Sequence, residues 1–308
     1  MRRLNRRLFL REAAFAAAAP AFGNYALAGR APRAMLSRAI PSTNEKLPVV
    51  GLGTWQQFDI DPGSSEAGQL LEVLKNVAAK GGKVIDSSPM YGRSEATVGS
   101  LTQAAGLAES FFYATKVWTS GRGEGIRQME ESMKRMKRRR MDLMQVHNLL
   151  DVQTHLKTLK QWKDENKIRY TGATHYSTSA HEELERLIRK EKLDFLQFNY
   201  NISERNAEKR LISAARDNGV AVIINEPFDS GSLFRRVREK ALPEWASEWA
   251  ISSWAQFFLK YILSHPGVTC VIPGTSNPGH ALDNMSAGYG PLPDEAGRKK
   301  MAAFFDAL

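Results

Sequence analysis

Cysteine is almost absent from this sequence, and its histidines are scattered. Cys270 is the only cysteine among 308 residues, and it lies in an apolar run, VTCVIP. No disulfide can therefore form within the chain, and the thiol is predicted to be a small core residue. The six histidines show no metal-ligand spacing on one element, so no metal site is predicted.

The N-terminal segment lacks an apolar run long enough for a membrane-spanning helix. Its apolar middle, Ala13 to Phe22, follows a basic start and precedes Ala26-Leu27-Ala28, a pattern typical of signal-peptide cleavage. The stretch Asn5-Arg6-Arg7-Leu8-Phe9-Leu10 resembles the twin-arginine export signal of bacteria. Residues 1–28 are therefore predicted to be a leader read by the export machinery, and the mature protein to be periplasmic, without stable membrane insertion. The alternative is a basic tail retained on a cytoplasmic enzyme.

The basic excess is mild once that leader is removed. The whole chain has a formal net charge of +10, and loss of residues 1–28 removes five arginines and one glutamate, which leaves +6. The densest basic run, Lys134 to Arg140, ends a predicted helix, where cations complement the helix dipole. Nucleic acid binding is therefore not predicted.

Apolar, β-branched runs alternate with segments of helical periodicity, such as Ala67 to Ala79 and Ala207 to Asp217. Strand and crossover helix in alternation predict a parallel α/β sheet, and eight repeats predict a closed (β/α)8 TIM barrel. We expect one domain, residues 46–308, after a linker at residues 29–45. The eight predicted strands are VVGLGTW (49–55), KVIDSS (83–88), FFYATKVW (111–118), MDLMQVHN (141–148), IRYTGATHY (168–176), DFLQFNYN (194–201), GVAVIINEP (219–227) and TCVIPGTS (269–276).

Four chemically versatile side chains fall at the carboxyl ends of three successive strands. Asp86 ends the second strand and Tyr91 follows it, whereas Lys116 and His147 lie near the ends of the third and fourth strands. Each alone has an ordinary explanation, as a turn residue, a surface lysine or a core histidine. Since a barrel of this type has its chemistry at that end of its strands, the four together predict a catalytic set.

This set suits hydride transfer to or from a carbonyl group. The carbonyl oxygen becomes negative as hydride arrives and must receive a proton, which Tyr91 can supply if its pKa is lowered. Lys116 is expected to lower that pKa, and Asp86 to hold the lysine in place. His147 is expected to donate a hydrogen bond to the substrate oxygen.

The same residues lie in motifs that resemble the aldo/keto reductase family. These motifs are GLGTW (51–55), Asp86-Ser87-Ser88-Pro89-Met90-Tyr91-Gly92, ATK (114–116), DLMQVH (142–147), QFNYN (197–201) and IPGTSNPGHALDN (272–284). The resemblance implies a barrel that binds a nicotinamide dinucleotide, preferably NADP with NAD possible, and that has no Rossmann domain. In agreement, no GxGxxG follows any strand-like run.

The resemblance also implies a set of cofactor contacts. They are Thr54, Trp55 and Asp86 near the nicotinamide and its ribose, Gln197 at the carboxamide, Gly274, Thr275, Ser276 and Asn277 around the adenosine phosphate, and Asp283 and Asn284 at the adenine.

The sequence departs from the family pattern in three places. His280 stands where an arginine usually contacts the 2′-phosphate of NADP, so the preference over NAD depends on a weaker and pH-dependent charge. Thr174 and His175 replace a Ser-Asn pair that holds the carboxamide. Asn225 replaces a tyrosine that stacks on the nicotinamide, and an amide gives hydrogen bonds but little stacking.

The sequence therefore predicts an NADP-preferring oxidoreductase that reduces a small aldehyde or ketone. One alternative is a dinucleotide-binding redox sensor or partner subunit with little turnover. Another is a metal-dependent sugar isomerase on the same fold, which the lack of clustered acidic and histidine ligands disfavours.

Overall fold

The computed structural model describes residues 34–308, and the predicted leader lies outside the described residues. The described chain begins with an antiparallel hairpin of β1 (Ser37–Ala39) and β2 (Lys46–Pro48). β1 belongs to the segment that the sequence predicted as a linker. A three-residue strand of mixed polarity is too short to show the alternation by which a strand is recognised.

Eight parallel strands form the barrel that the sequence predicted. They follow one another in sequence order around the sheet, and bridges from Val50 to Val271 and from Gly53 to Gly274 join the last strand to the first. At this seam a Cβ on Gly53 would lie 2.8 Å from the carbonyl oxygen of Ile272, so the close approach requires glycine. The (β/α)8 prediction is confirmed. The strands are β3 (Leu52–Gly53), β4 (Val84–Asp86), β5 (Phe112–Val117), β6 (Met141–His147), β7 (Ile168–His175), β8 (Phe195–Asn199), β9 (Ala221–Asn225) and β10 (Cys270–Val271).

Helices surround the barrel, and several bury one apolar face against it. The helix over Ala67–Ala79, for example, buries Leu70, Val73, Leu74 and Val77, which share one side at helical spacing. None of the helices in the described part is long and apolar enough to cross a membrane. They are α1 (Ala67–Ala79), α2 (Ser94–Ala104), α3 (Arg122–Arg135), α4 (Val152–Asp164), α5 (His181–Lys190), α6 (Asn206–Lys209), α7 (Leu211–Asp217), α8 (Ser232–Arg236), α9 (Trp254–Ser264), α10 (Pro278–Ser286) and α11 (Glu295–Asp306).

The hairpin covers the end of the barrel where the strands begin. Ile40 and Leu47 pack in one buried cluster with Phe112 and Phe195, the first residues of β5 and β8. Cys270, the first residue of β10, belongs to the same cluster, so the predicted core position of the thiol is confirmed. The hairpin therefore covers the amino-terminal end of the barrel, and a site can form only at the carboxyl ends of the strands.

Candidate active site

Asp86 and Lys116 form a buried ion pair beneath the carboxyl ends of β4 and β5. Lys116 Nζ lies 2.7 Å from Asp86 Oδ2 and 2.6 Å from the carbonyl oxygen of Ser87. The two side chains are only 1% and 4% exposed. Burial opposes the charge of Lys116, but Asp86 and Tyr91 outweigh it and raise the lysine's pKa. Lys116 is therefore a fixed cation.

Tyr91 lies in the loop after β4, with its ring beside Lys116. Nζ of Lys116 is 4.9 Å from the ring centroid. The loop is held by Asp59, whose Oδ1 accepts a hydrogen bond from the Arg93 backbone N–H at 2.8 Å. Between these residues Gly92 has a φ of +58°, and a Cβ there would clash with the Asp59 carboxylate. The position of the phenol thus depends on backbone that only glycine accommodates.

The protonation of Tyr91 differs from the expectation. Burial raises the pKa of Tyr91, and Lys116, which acts in the opposite direction, does not offset the rise. The prediction that the lysine brings this pKa below its ordinary value is therefore wrong for this structure. Lys116 limits the rise instead, and the phenol is protonated at neutral pH.

His147 ends β6 and lies edge-on to Tyr91, with 5.9 Å between the ring centroids. Its side chain is 5% exposed. Burial lowers the pKa of His147 to about 2, and Lys116 and His175 add to the effect. The imidazole is therefore neutral and can donate one hydrogen bond. The structure thus brings the four predicted catalytic residues together at one end of the barrel.

A cavity of about 1190 Å³ opens over these residues. A site for one small ligand typically occupies about 300 to 1000 Å³, and this cavity is somewhat larger than that range. The predicted residues along its wall are Thr54, Trp55, Asp86, Tyr91, His147, Thr174, Gln197, Asn225 and Gly274.

His175 is not brought to this cavity. Thr174 and His175 are neighbours at the end of β7, and successive residues of a strand face opposite sides. Thr174 lies at the cavity wall, whereas the His175 ring stacks on Tyr176 at 5.4 Å and its Nδ1 accepts from the Ser177 backbone N–H at 3.0 Å. Of the pair Thr174 and His175, the structure places only Thr174 at the cavity.

The predicted phosphate loop precedes α10. Asn277 caps this helix, and its Oδ1 accepts from the backbone N–H groups of Gly279 at 2.8 Å and His280 at 3.2 Å. Gln69 on α1 donates to the carbonyl oxygen of Ser276 at 2.8 Å, which ties the loop to the barrel. His280 is exposed in the first helical turn, where the helix N-terminus favours anions.

Asp283 and Asn284 lie further along α10, away from the cavity wall. Asp283 accepts hydrogen bonds from Ser253 Oγ and Gln256 Nε2, each at 2.6 Å, and so connects α10 to the start of α9. Asn284 is 3% exposed. Thr275 is buried, and its hydroxyl accepts from the Asn277 N–H at 3.0 Å. In this structure the Asp283 and Thr275 side chains thus bond within the protein, to α9 and to the loop before α10.

Gln145 connects the ion pair to Gln197, a role that the sequence reasoning missed. Its Nε2 donates to Asp86 Oδ1 at 3.3 Å and to Gln197 Oε1 at 3.0 Å. Gln145 precedes His147 by two residues on β6, so both face the same side. That spacing was visible in the sequence. Glu226 also lines the cavity and was not predicted from the sequence. Its backbone φ is +50°, a conformation that no sequence motif predicts at this position.

Two buried amide oxygens at the cavity have no hydrogen-bond partner among the described residues. They are Asn148 Oδ1 and Asn225 Oδ1. Leaving a buried polar group unpaired costs about 1–3 kcal/mol, so both oxygens are suited to accept from a bound ligand. The role of Asn225 as a hydrogen-bonding replacement for the stacking tyrosine stays a prediction.

Known proteins resemble this chain over most of its length. Residues 49–299 match the model of the aldo/keto reductase family. Aldo-keto reductase YhdN of Bacillus subtilis is 26% identical over 217 residues, which cover 66% of this chain and 65% of that protein. Methylglyoxal reductase YeaE of Escherichia coli is 26% identical over 253 residues, or 80% of this chain and 87% of that protein. An aldo-keto reductase of Klebsiella pneumoniae, solved with NADPH, has the same fold with a TM-score of 0.74 at 22% identity, over 88% of this chain and 96% of that one. The chain belongs to the aldo/keto reductase family, which confirms the prediction of an NAD(P)H-dependent oxidoreductase.

Proposed function

We propose that the protein reduces an aldehyde or ketone to an alcohol with NADPH, and that Tyr91 gives the proton. The observation that supports this most directly is the placement of a protonated phenol and a neutral imidazole at the wall of one cavity, above a buried lysine cation. Two relatives agree in kind, since one is named a methylglyoxal reductase and another was solved with NADPH.

The residues at the cavity fit a nicotinamide dinucleotide. When bound, NADPH supplies the hydride. The Thr174 hydroxyl, the Gln197 amide and the unpaired Asn225 Oδ1 would hold the carboxamide end, because they offer both donors and acceptors at one wall. The loop over residues 274–277 and His280 would hold the phosphates at the N-terminus of α10.

The proton and the developing charge are handled by three side chains. Tyr91 donates its proton to the carbonyl oxygen, and the Lys116 cation beside its ring stabilises the phenolate that remains. His147 donates a hydrogen bond to the same oxygen from its neutral ring. Two donors thus meet the negative charge in a site where burial strengthens electrostatic interactions.

Neutral carbonyl compounds are the first substrates to test. None of the described residues along the cavity wall is a lysine or arginine, whereas Glu204, Glu226 and Asp229 are among them. An anionic substrate would therefore meet like charges.

NADPH consumption by the purified protein should depend on an added neutral aldehyde or ketone. In the matched variant Tyr91→Phe we expect NADPH binding to persist and turnover to fall about 10²- to 10⁴-fold. A folded Tyr91→Phe protein with full turnover would refute Tyr91 as the proton donor.

A second candidate is a dinucleotide-binding redox sensor or partner subunit. It is favoured by the altered nicotinamide contacts, since His175 faces away from the cavity and Asn225 offers little stacking. A sensor would bind NADPH, but no added carbonyl compound would cause it to consume the cofactor. Among residues 34–308, no group of three or more His, Cys, Asp or Glu side chains could hold a metal ion, so no observation there favours the sugar isomerase.

We also propose that the protein is exported and works in the periplasm. Support comes from Arg6 and Arg7 followed by the apolar stretch to Phe22 and the Ala26-Leu27-Ala28 cleavage pattern. The twin-arginine route transports folded proteins, so a cofactor bound during folding could cross with the enzyme.

A further inference from the structure

Ser88 is hydrogen-bonded to the ring of His147 and is not among the residues that line the cavity. Its Oγ lies 3.0 Å from His147 Nδ1. Both residues are buried, Ser88 completely. Ser88 lies two residues after Asp86, in the turn that leads to Tyr91.

The surroundings of Ser88 decide which group donates in this hydrogen bond. Ser88 Oγ already accepts a long hydrogen bond from the Met90 backbone N–H at 3.4 Å. Within the described part of the chain, His147 Nδ1 is the one acceptor within reach of the Ser88 hydroxyl hydrogen. If Nδ1 bore the proton, the buried hydroxyl would face two donors and its own hydrogen would have no acceptor, which native structures avoid. The hydroxyl therefore donates to Nδ1.

A consequence follows for the other ring nitrogen. A neutral imidazole has one N–H, so a proton that is absent from Nδ1 resides on Nε2. The two ring nitrogens flank Cε1 and point in different directions. Because Nδ1 is bonded to Ser88, which does not line the cavity, Nε2 is the nitrogen that His147 can present to the cavity. The ring is also held by edge contacts, with centroids 5.9 Å from Tyr91 and 6.4 Å from Trp118. Its orientation and its tautomer are thus both set before substrate arrives.

We propose that Ser88 is a positioning residue that selects the Nε2–H tautomer of His147, so that this histidine donates to the substrate oxygen instead of accepting. This inference rests on the proposed carbonyl reduction for its purpose, but the tautomer itself can be observed without turnover. In the opposite tautomer a nitrogen lone pair would face the developing oxyanion, which would repel it. A purely structural Ser88 would only hold the turn through the Met90 N–H.

Nitrogen NMR of the full chain with ¹⁵N-labelled histidine tests the tautomer directly. The His147 signals are assigned by their loss in His147→Gln. We expect Nε2 to show one-bond coupling to hydrogen and Nδ1 to have the shift of an unprotonated, hydrogen-bonded nitrogen. In Ser88→Ala the Nδ1 signal should move toward that of a free nitrogen, and Ser88→Thr, which keeps the hydroxyl, should restore it. A proton on Nδ1 in the wild type would overturn the inference, whether or not any variant folds.

Kinetics provide the second readout. Because one oriented hydrogen bond is lost, we expect Ser88→Ala to lower kcat roughly tenfold with an unchanged Kd for NADPH, and Ser88→Thr to recover most of it. Thr158→Val is the matched control, since it removes a buried hydroxyl on α4 that, among residues 34–308, bonds only to the Thr154 carbonyl oxygen. It should leave the His147 signals and kcat unchanged. A Ser88→Ala protein with wild-type kcat would refute the positioning role, whereas absence of carbonyl turnover in the wild type would refute the proposed function alone.

Discussion

Replacing Lys116 with methionine separates the stability of the buried ion pair from its chemistry. Methionine has a similar length and no charge. In Lys116→Met, the Asp86 carboxylate would keep only the Gln145 amide at 3.3 Å among its side-chain donors in the described residues. Breaking a buried pair by removing one partner typically costs about 3–5 kcal/mol, because the other charge is left uncompensated. We expect the free energy of unfolding at neutral pH to fall by about that amount.

The double variant Lys116→Met with Asp86→Leu shows whether that loss comes from the stranded carboxylate. Replacing both members of a buried ion pair with apolar side chains is often neutral or stabilising. Stability should therefore return to within roughly 1–2 kcal/mol of the wild type, while carbonyl-dependent NADPH consumption stays lost in both variants. Urea unfolding followed by tryptophan fluorescence measures the first quantity. A single variant as stable as the wild type, or a double variant no more stable than the single one, would refute the electrostatic account. Turnover that survives in Lys116→Met would refute the part of Lys116 in the chemistry.

Four further outcomes are expected. The pH profile of kcat/KM for reduction should stay level across neutral pH, because burial lowers the pKa of His147 to about 2 and its ring is neutral there. The profile should fall only as Tyr91 loses its proton, above the ordinary value near 10, because burial raises the pKa of Tyr91. A fall between roughly pH 6 and 8 would point to another group. His280→Arg should raise the preference for NADPH over NADH, measured as a ratio of Kd values, because a permanently charged guanidinium can bind a phosphate with two hydrogen bonds at the N-terminus of α10; an unchanged ratio would exclude position 280 as a contact of the 2′-phosphate. Lys260→Met should lower the free energy of unfolding by about 3 kcal/mol without changing kcat, because the buried Lys260 ammonium donates to the carbonyl oxygens of Trp249, Tyr289 and Pro291. Lys299→Met, which breaks an exposed pair with Glu295, should change the free energy of unfolding little. Equal effects of the two variants on stability would contradict this role of Lys260. Changing Arg6 and Arg7 together to Lys should keep the protein in the cytoplasm on fractionation, and an undiminished periplasmic fraction would contradict the twin-arginine address.

The barrel could be predicted from the sequence because its strands are recorded in local composition. Each of the eight β-branched runs contains one strand of the barrel, and the residues at their carboxyl ends meet because parallel strands share one direction. The hairpin could not be predicted, since β1 is held by its pairing with β2 and by burial of Ile40 against the barrel. Such contacts are remote in sequence and leave no local pattern.

Some features of the site could likewise be predicted from the sequence, and others could not. The approach of Asp86 to Lys116 follows from adjacent strand ends, and the alternation along β6 already relates Gln145 to His147. The direction of the Tyr91 pKa shift depends on how much water the surrounding packing removes, which a motif does not specify. The outward position of His175, by contrast, follows from the alternation along β7, which puts Thr174 and His175 on opposite faces.

The burial of Cys270 makes the state of the enzyme's single thiol independent of the redox conditions around it. The thiol is fully buried at the start of β10, and burial raises its pKa, so it is neither accessible nor ionised. Oxidants and disulfides attack thiolates that they can reach, and such a thiol is inert toward both. Because the chain has no other cysteine, the folded enzyme needs neither a reducing compartment to protect it nor an oxidising one to complete it. The proposed export would therefore require no change in the state of this thiol.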